Sequence, residues 1–416
     1  MPAAPSLLIV PYRSKTGRLY SQIPVPVAPA TTGAGDFNVT RNTTATRFNS
    51  AGLIASVASG IPRLDYYTSG GTAGCPALLV EPAATNALSY SEEFDNAAWG
   101  KSAMTVSTGT TAAFTAPDGT TNADKIIATS GNVAHNINRS GLTSAAYTFS
   151  VFAKAGEESL ISLWLRGASV KAEFNLVSGT VSNITTTSAR IENYGNGWYR
   201  CTVYDSTAGT TAHVYGRTGS GYAGNGSDGF YLWGAQVETS TVATSYIPTT
   251  TGTGSRSADV ISVSGAVSGA IGQTEGTIYM EVDVRNRLNG TAVLTLAKDA
   301  NVSGRVIIYT NTNNQWRANY TDASGTIVDT SAANDTQVLG VNKLALAYGA
   351  GGNATLHCNG SLIITLLGTS TFVQELRAVF LGSSNAGSLF FNNRIRAVAL
   401  YTTRLTNAEL ATLTTP

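Results

Sequence analysis

Leu160-Ile-Ser-Leu-Trp-Leu165 is a short apolar run in which Ile161, Leu163 and Leu165 alternate with Ser162 and Trp164. Successive side chains of a strand point to opposite faces, so this alternation makes a half-buried strand and puts Trp164 and Arg166 on the same side. Tyr147-Thr-Phe-Ser-Val-Phe152, Trp198-Tyr-Arg-Cys-Thr-Val-Tyr204 and Thr277-Ile-Tyr-Met-Glu-Val-Asp-Val284 have the same character. Each is rich in β-branched or aromatic residues and bounded by Gly, Asn or Ser turns. Helical periodicity is nearly absent. The exception is Thr406-Asn-Ala-Glu-Leu410, where Thr406 is placed to cap a terminal helix and Glu409 to close a capping box. Many evenly spaced strands predict an all-β chain of antiparallel sandwiches.

Composition agrees. The 416 residues include only 12% charged residues, about half the usual share, and 43 glycines. Thr, Ser, Asn and Gly replace charge, which suits tight turns and hydroxyl-rich surfaces. The 26 basic and 25 acidic residues leave a net charge of +1, so no global field favours nucleic acid or an anionic membrane. Cys75, Cys201 and Cys358 are far apart, with no CxxC spacing, and permit one bridge at most. His135, His213 and His357 are equally scattered and read as strand or surface residues. No metal site or cofactor is indicated. The apolar run Leu7-Leu-Ile-Val10 stops at Pro11, too short for a signal h-region or a membrane span of ~20 residues.

Two shifts in composition mark boundaries. Ile23-Pro-Val-Pro-Val-Ala-Pro-Ala30 has the alternating prolines of an extended spacer. Ile247-Pro-Thr-Thr-Thr-Gly-Thr-Gly-Ser255 separates two strand-rich blocks. Cuts near residues 80 and 252 give three regions: 1–80, an extended arm with a Pro-rich spacer; 81–252; and 253–416. The first has too little periodic apolar sequence for a core of its own. Its apolar residues, Leu7, Leu8, Ile9, Val10, Tyr12, Leu19 and Tyr20, are therefore candidates for anchoring on a partner by strand addition.

The stretch from Pro62 to Pro248 carries a family resemblance. Pro62-Arg-Leu-Asp-Tyr66, Cys75-Pro-Ala-Leu-Leu-Val-Glu-Pro82, Tyr90-Ser-Glu-Glu-Phe-Asp-Asn-Ala-Ala-Trp99 and Ala116-Pro-Asp-Gly-Thr120 occur in that order. They are followed by Tyr147-Thr-Phe-Ser-Val-Phe-Ala-Lys-Ala-Gly156, Gly195-Asn-Gly-Trp-Tyr-Arg-Cys201, Tyr231-Leu-Trp-Gly-Ala-Gln-Val-Glu238 and Ala243-Thr-Ser-Tyr-Ile-Pro248. The series resembles a module of tailed-phage structural proteins, a jelly roll similar to carbohydrate-binding modules. The resemblance implies a place on a virion surface, in a tail or head fibre, made in the host cytoplasm and released by lysis. It also implies other virion proteins as partners through the arm, host polysaccharide as ligand, and a symmetric homo-oligomer, with a trimer favoured.

Glycan binding needs aromatic rings for the apolar faces of sugars and amide or charged groups for their hydroxyls. Trp164, Arg166 and Tyr204 are the candidate contacts; Trp198 and Trp233, among apolar neighbours, read as core. Asn225 and Asp228 in Gly224-Asn-Gly-Ser-Asp-Gly229 offer a single carboxylate, a poor cage for Ca²⁺, and read as a turn.

In the last block, Glu275-Gly-Thr-Ile-Tyr-Met-Glu-Val-Asp-Val284, Asn342-Lys-Leu-Ala-Leu-Ala-Tyr348, Ala354-Thr-Leu-His-Cys-Asn-Gly360 and Asn393-Arg-Ile-Arg-Ala-Val-Ala-Leu-Tyr401 resemble a laminin-G or concanavalin-A-like sandwich. Asn359-Gly360 is the strongest hairpin signal. Glycanases of that fold family use an E-x-D-x-(x)-E strand. Here Glu281 and Asp283 begin the pattern, but Arg285 and Asn286 stand where the third acid belongs. Hydrolysis requires two carboxyls across the sugar, so no catalytic residue is assigned. The expectation is a non-enzymatic virion surface protein that binds host glycan. Two other readings stand beside it: a purely architectural decoration protein and a capsule depolymerase.

Overall fold

The computed structural model describes residues 4–11, 14–21, 36–165, 170–265, 267–298, 304–321, 327–329, 337–349, 353–366 and 375–416. Strands and turns account for nearly all of them, in two antiparallel β-sandwiches. The fold class is as the alternation predicts.

The first sandwich is built from two six-stranded sheets. One, here the distal sheet, runs Gly100–Ser102, Asn136–Arg139, Ala212–Gly216, Leu160–Leu165, Lys171–Asn175 and Thr180–Ser182. The other, the proximal sheet, runs Met104–Ser107, Asp124–Ala128, Gly229–Glu238, Ala145–Ala155, Trp198–Gly209 and Ser188–Asn193. Alternation decides what lies between them. Ile161, Leu163 and Leu165 from one sheet meet Phe149, Val151, Cys201 and Val203 from the other in a single buried cluster. Each such aliphatic side chain taken fully from water contributes roughly 1.5–3 kcal/mol.

The second sandwich pairs an eight-stranded with a nine-stranded sheet. The eight-stranded sheet centres on Gly276–Val284, Asn393–Tyr401 and Gly340–Tyr348, and the nine-stranded one on Val260–Ser264, Ala378–Leu381, Ala292–Ala297 and Arg305–Thr310. Apart from one hairpin, the described strands of residues 1–80 belong to these sheets. Leu7–Ile9 pairs with Val398–Leu400, Ala73–Val80 pairs with the start of Asn393–Tyr401, and Phe37–Thr40 pairs with Val260–Ser262. Ser6 Oγ donates to the carbonyl of Leu400, 394 positions away.

This corrects the expectation of a separate arm. Leu7, Ile9 and Leu19 are at most 1% exposed and sit in the core of the second sandwich, so they have no surface left to offer a partner. Strand addition does occur, but to a sheet of the same chain. Leu8 packs against a small cluster on the outer side of that sheet, Tyr20 is half-buried, and Val10 is exposed. Tyr12 and the Pro-rich stretch 23–30 lie outside the described residues.

The cuts near 80 and 252 fall where the chain crosses between the sandwiches. It leaves the second sandwich through Ala84–Asn86 and returns through Gly254–Arg256, and these two links pair with each other antiparallel. The first sandwich is thus an insertion into the second, not the middle of three units in series.

A hairpin, Ala45–Phe48 with Ile54–Val57, wedges against the proximal sheet. Phe48, Tyr67, Phe152, Tyr194, Trp198, Trp233 and Tyr246 bury one another there, and both indole N–H groups are used, Trp198 on the Thr115 carbonyl and Trp233 on Asn122. Trp198 and Trp233 are core residues, as their neighbours predict.

Beside this aromatic cluster lies a buried ionic one. Asp259 takes Arg41 and Arg63, while Glu81 takes Arg63 and Arg256, with every side chain at most 5% exposed. Burial opposes ionisation of Glu81, but Arg256 and Arg63 outweigh it and hold its carboxyl far below the usual range. Such a network adds little net stability over apolar packing, yet any broken pair leaves a buried charge, so it fixes the relative position of the parts that supply it.

Two local signals appear as read. Asn359 and Gly360 have φ of 47° and 85°, the positive values that a two-residue type I′ hairpin turn requires at both positions. The terminal helix Asn407–Thr414 starts at Thr406 with a complete capping box to Glu409.

Candidate functional site

The face of the distal sheet turned away from the core carries the aromatic residues on which a sugar could rest. With Ile161, Leu163, Ala212 and Val214 buried inside, the intervening residues point outward. Strand register arranges them in two rows. Asn138, His213, Trp164 and Lys171 lie side by side across four strands, and Asn136, Tyr215, Ser162 and Glu173 form the next row. The Trp164 and Tyr215 rings are 4.1 Å apart at 32°, and His213 stacks on Tyr215 at 5.7 Å and 19°. Lys171 lies over the Trp164 ring at 5.4 Å and contacts Glu173 at 3.1 Å.

Trp164 itself is only 8% exposed. The turn at Gly219 covers its indole so closely that a Cβ there would fall 2.2 Å from the ring, and Lys171 Nζ holds that turn by the carbonyl of Thr218. Gly219 adopts φ of 79°, which together with this approach requires glycine. The expectation of Trp164 as an open stacking platform is therefore corrected. It is the floor under Tyr215, and the half-buried ring of Tyr215 is what the face presents. Trp164 Nε1 and His213 Nδ1 are buried without a hydrogen-bond partner. Burial also pushes the His213 imidazole below its ordinary pKa, keeping it neutral.

The three sequence candidates do not meet. Tyr204 lies on the proximal sheet next to inward-facing Val203, so it points away from that sheet's core side, on the opposite side of the sandwich from Trp164. Arg166 lies outside the described residues. His213 is a strand residue, as read from the sequence, and Tyr215 is not among the sequence candidates. Their alternation in Ala212-His-Val-Tyr-Gly216 is visible in the sequence, but their adjacency to Trp164 is a product of strand order.

Glu281 and Asp283 point outward from the eight-stranded sheet, since Met280, Val282 and Val284 fill the core. Arg396 Nε contacts Glu281 at 3.1 Å, and Arg394 pairs with Asp283. Both carboxylates are engaged by cations of the neighbouring strand. Asn225 Oδ1 accepts from the Ser227 and Asp228 N–H groups and closes its own turn. Among the described residues no cluster of three or more His, Cys, Asp or Glu could hold a metal ion.

No protein-family model and no curated protein matches the chain. Partial likeness to solved structures exists. The CBM40 of the Ruminococcus gnavus IT-sialidase is 20% identical over 35% of this chain and 84% of its own length, with a TM-score of 0.29. Domain 4 of AbnA, a GH43 extracellular arabinanase from Geobacillus stearothermophilus solved with arabinotriose, is 13% identical over 42% of this chain and 82% of its own, with a TM-score of 0.33. The NanB sialidase of Streptococcus pneumoniae is 16% identical over 37% of this chain and 27% of its own, with a TM-score of 0.31.

Proposed function

We propose that the chain is a non-catalytic glycan-binding protein whose saccharide contact is the outward face of the distal sheet. The observation that carries this reading is the aromatic stack of Trp164, Tyr215 and His213, bordered by Asn136, Asn138, Lys171 and Glu173. The apolar face of a pyranose packs on Tyr215, and its hydroxyls meet the half-buried Asn138 carboxamide and Lys171 ammonium in the row beside it. The engagement of Glu281 and Asp283 by arginines supports binding without hydrolysis.

The setting we propose is the surface of a tailed-phage particle, in a tail or head fibre that adsorbs to host polysaccharide. The ordered motifs from Pro62 to Pro248 support it, as does the joining of two sandwiches by a pair of hydrogen-bonded links. Association with other virion proteins and a trimeric assembly belong to the same proposal.

A glycan array with the full chain and its Tyr215→Ala variant tests the contact. Loss of a stacking ring is worth about 1–3 kcal/mol, so affinity should fall roughly 5- to 150-fold while the melting temperature holds. Unchanged binding by a folded Tyr215→Ala protein removes this face from the function, and no glycan bound at all favours the architectural reading. Release of reducing ends from host polysaccharide by the purified chain would overturn the non-catalytic part.

A further inference from the structure

A second concave site lies on the other side of the first sandwich, where the Ser188–Asn193 strand meets the second sandwich. It is a cleft of about 400 Å³, the size of one or two sugar rings. Four arginines, Arg190, Arg285, Arg394 and Arg396, are among its lining residues, with one acidic residue, Asp283. Thr68 and Ser69 bring hydroxyls to the rim, and Leu339 and Val341 form an apolar wall, 59% and 40% exposed.

The arginines are held from behind. Glu192 pairs with Arg190 and Arg285, Asp65 with Arg394, and Glu281 with Arg396, and none of these three carboxylates lines the cleft. The Arg285 and Arg394 side chains are only 17% and 5% exposed, which leaves Arg190 and Arg396 as the accessible pair. Arg190 and Arg396 are each 36% exposed. Arg396 is also the extra residue of a β-bulge, because Val282 pairs with Ile395 while Glu281 pairs with Ala397. Bulges of this kind re-aim one side chain out of the regular pleat.

We propose that this cleft binds a carboxylated saccharide, a sugar acid or a short oligosaccharide bearing one. A planar guanidinium fork suits a carboxylate, and Arg396, whose Nε contacts Glu281, presents its two Nη groups as the principal contact. Asp283, as an acceptor, suits a hydroxyl-rich ligand. The apolar wall fits the C–H face of a sugar ring. The site is separate from the Tyr215 face, on the opposite sheet, and stands whether or not that face binds glycan.

Isothermal titration of the full chain with galacturonate, glucuronate and N-acetylneuraminate oligosaccharides, each beside its carboxyl methyl ester, tests this. We expect at least one acid to bind ten-fold or more tightly than its ester, more weakly as salt rises. Arg396→Gln should reduce that affinity five-fold or more at unchanged melting temperature, and Leu339→Ser should reduce it by a smaller factor. Tyr215→Ala should leave it intact. Equal affinity for acid and ester, no binding of any acid, or loss in Tyr215→Ala with full affinity in Arg396→Gln would each overturn the assignment.

Discussion

Glu192 of the proximal sheet and Arg285 of the second sandwich form an ion pair across the boundary between the two units. The same guanidinium lies 4.0 Å over the ring of Tyr67, and Arg190 contacts the opposite side of the pair through Glu192 and the Asn286 side chain. Charge, ring and backbone from three separate segments meet at one point.

Glu192→Gln should therefore loosen the junction. Burial raises the Glu192 carboxyl, but Arg285 and Arg190 outweigh it and bring it from 4.5 down to about 2. A lowered acid stabilises the fold fully above its unfolded value and loses that contribution as pH falls through the folded one, here between about 4.5 and 2. At neutral pH the variant leaves two arginines without their acid, and we expect a loss of about 3 kcal/mol, the low end for a buried pair. Urea melts at pH 7 and pH 2.5 check it: the gap between wild type and variant should be large at the first and shrink at the second.

Leu7→Ala should destabilise the second sandwich by about 3 kcal/mol through a cavity at a fully buried site. Removal of residues 1–20 should do more, uncovering one edge of the Asn393–Tyr401 strand. Calorimetry distinguishes this from a detachable arm, which would leave the transition where it was.

Gly360→Ala should cost about 1–2 kcal/mol from backbone conformation alone. A Cβ there would lie 3.8 Å from Thr415, an ordinary contact, so the positive φ of 85° is the whole difficulty. Gly360→Asn, which tolerates that region better, should recover part of the loss in the same denaturation assay.

Stability and binding at the Tyr215 face should weaken in mild acid. A histidine lowered by burial is neutral in the fold, and the unfolded chain binds the proton more readily, so stability is full above about 6.5 and declines as pH drops below it. Protonation also puts a charge beside the stacked rings. His213→Gln should flatten the pH dependence between 7.5 and 5 in thermal melts; an unchanged slope would assign it to other groups.

What the sequence disclosed and what it withheld divide along the distance between partners. Ile161, Leu163 and Leu165 announce their inward face by alternation, and Asn359-Gly360 and Thr406 with Glu409 specify their turn and cap within a few residues. Leu7-Leu-Ile9 is too short to name the strand it joins, almost the whole chain away. Nothing around Trp164 reveals that the turn at Gly219 will lie on it, since that contact depends on register between strands and a positive φ. Tyr215 was hidden for the same reason: its face is local information, its neighbours are not.

The paired links Ala84–Asn86 and Gly254–Arg256 also determine how force passes through the molecule. A pull on a ligand held by the first sandwich is carried to the second by two covalent strands side by side, not by one flexible tether. Each strand bears part of the tension, and their cross-strand hydrogen bonds, with Thr85 and Ser255 hydroxyls in contact at 2.9 Å, resist sliding of one against the other. The junction is a short paired strut, and a load on the first sandwich reaches the second through both strands at once.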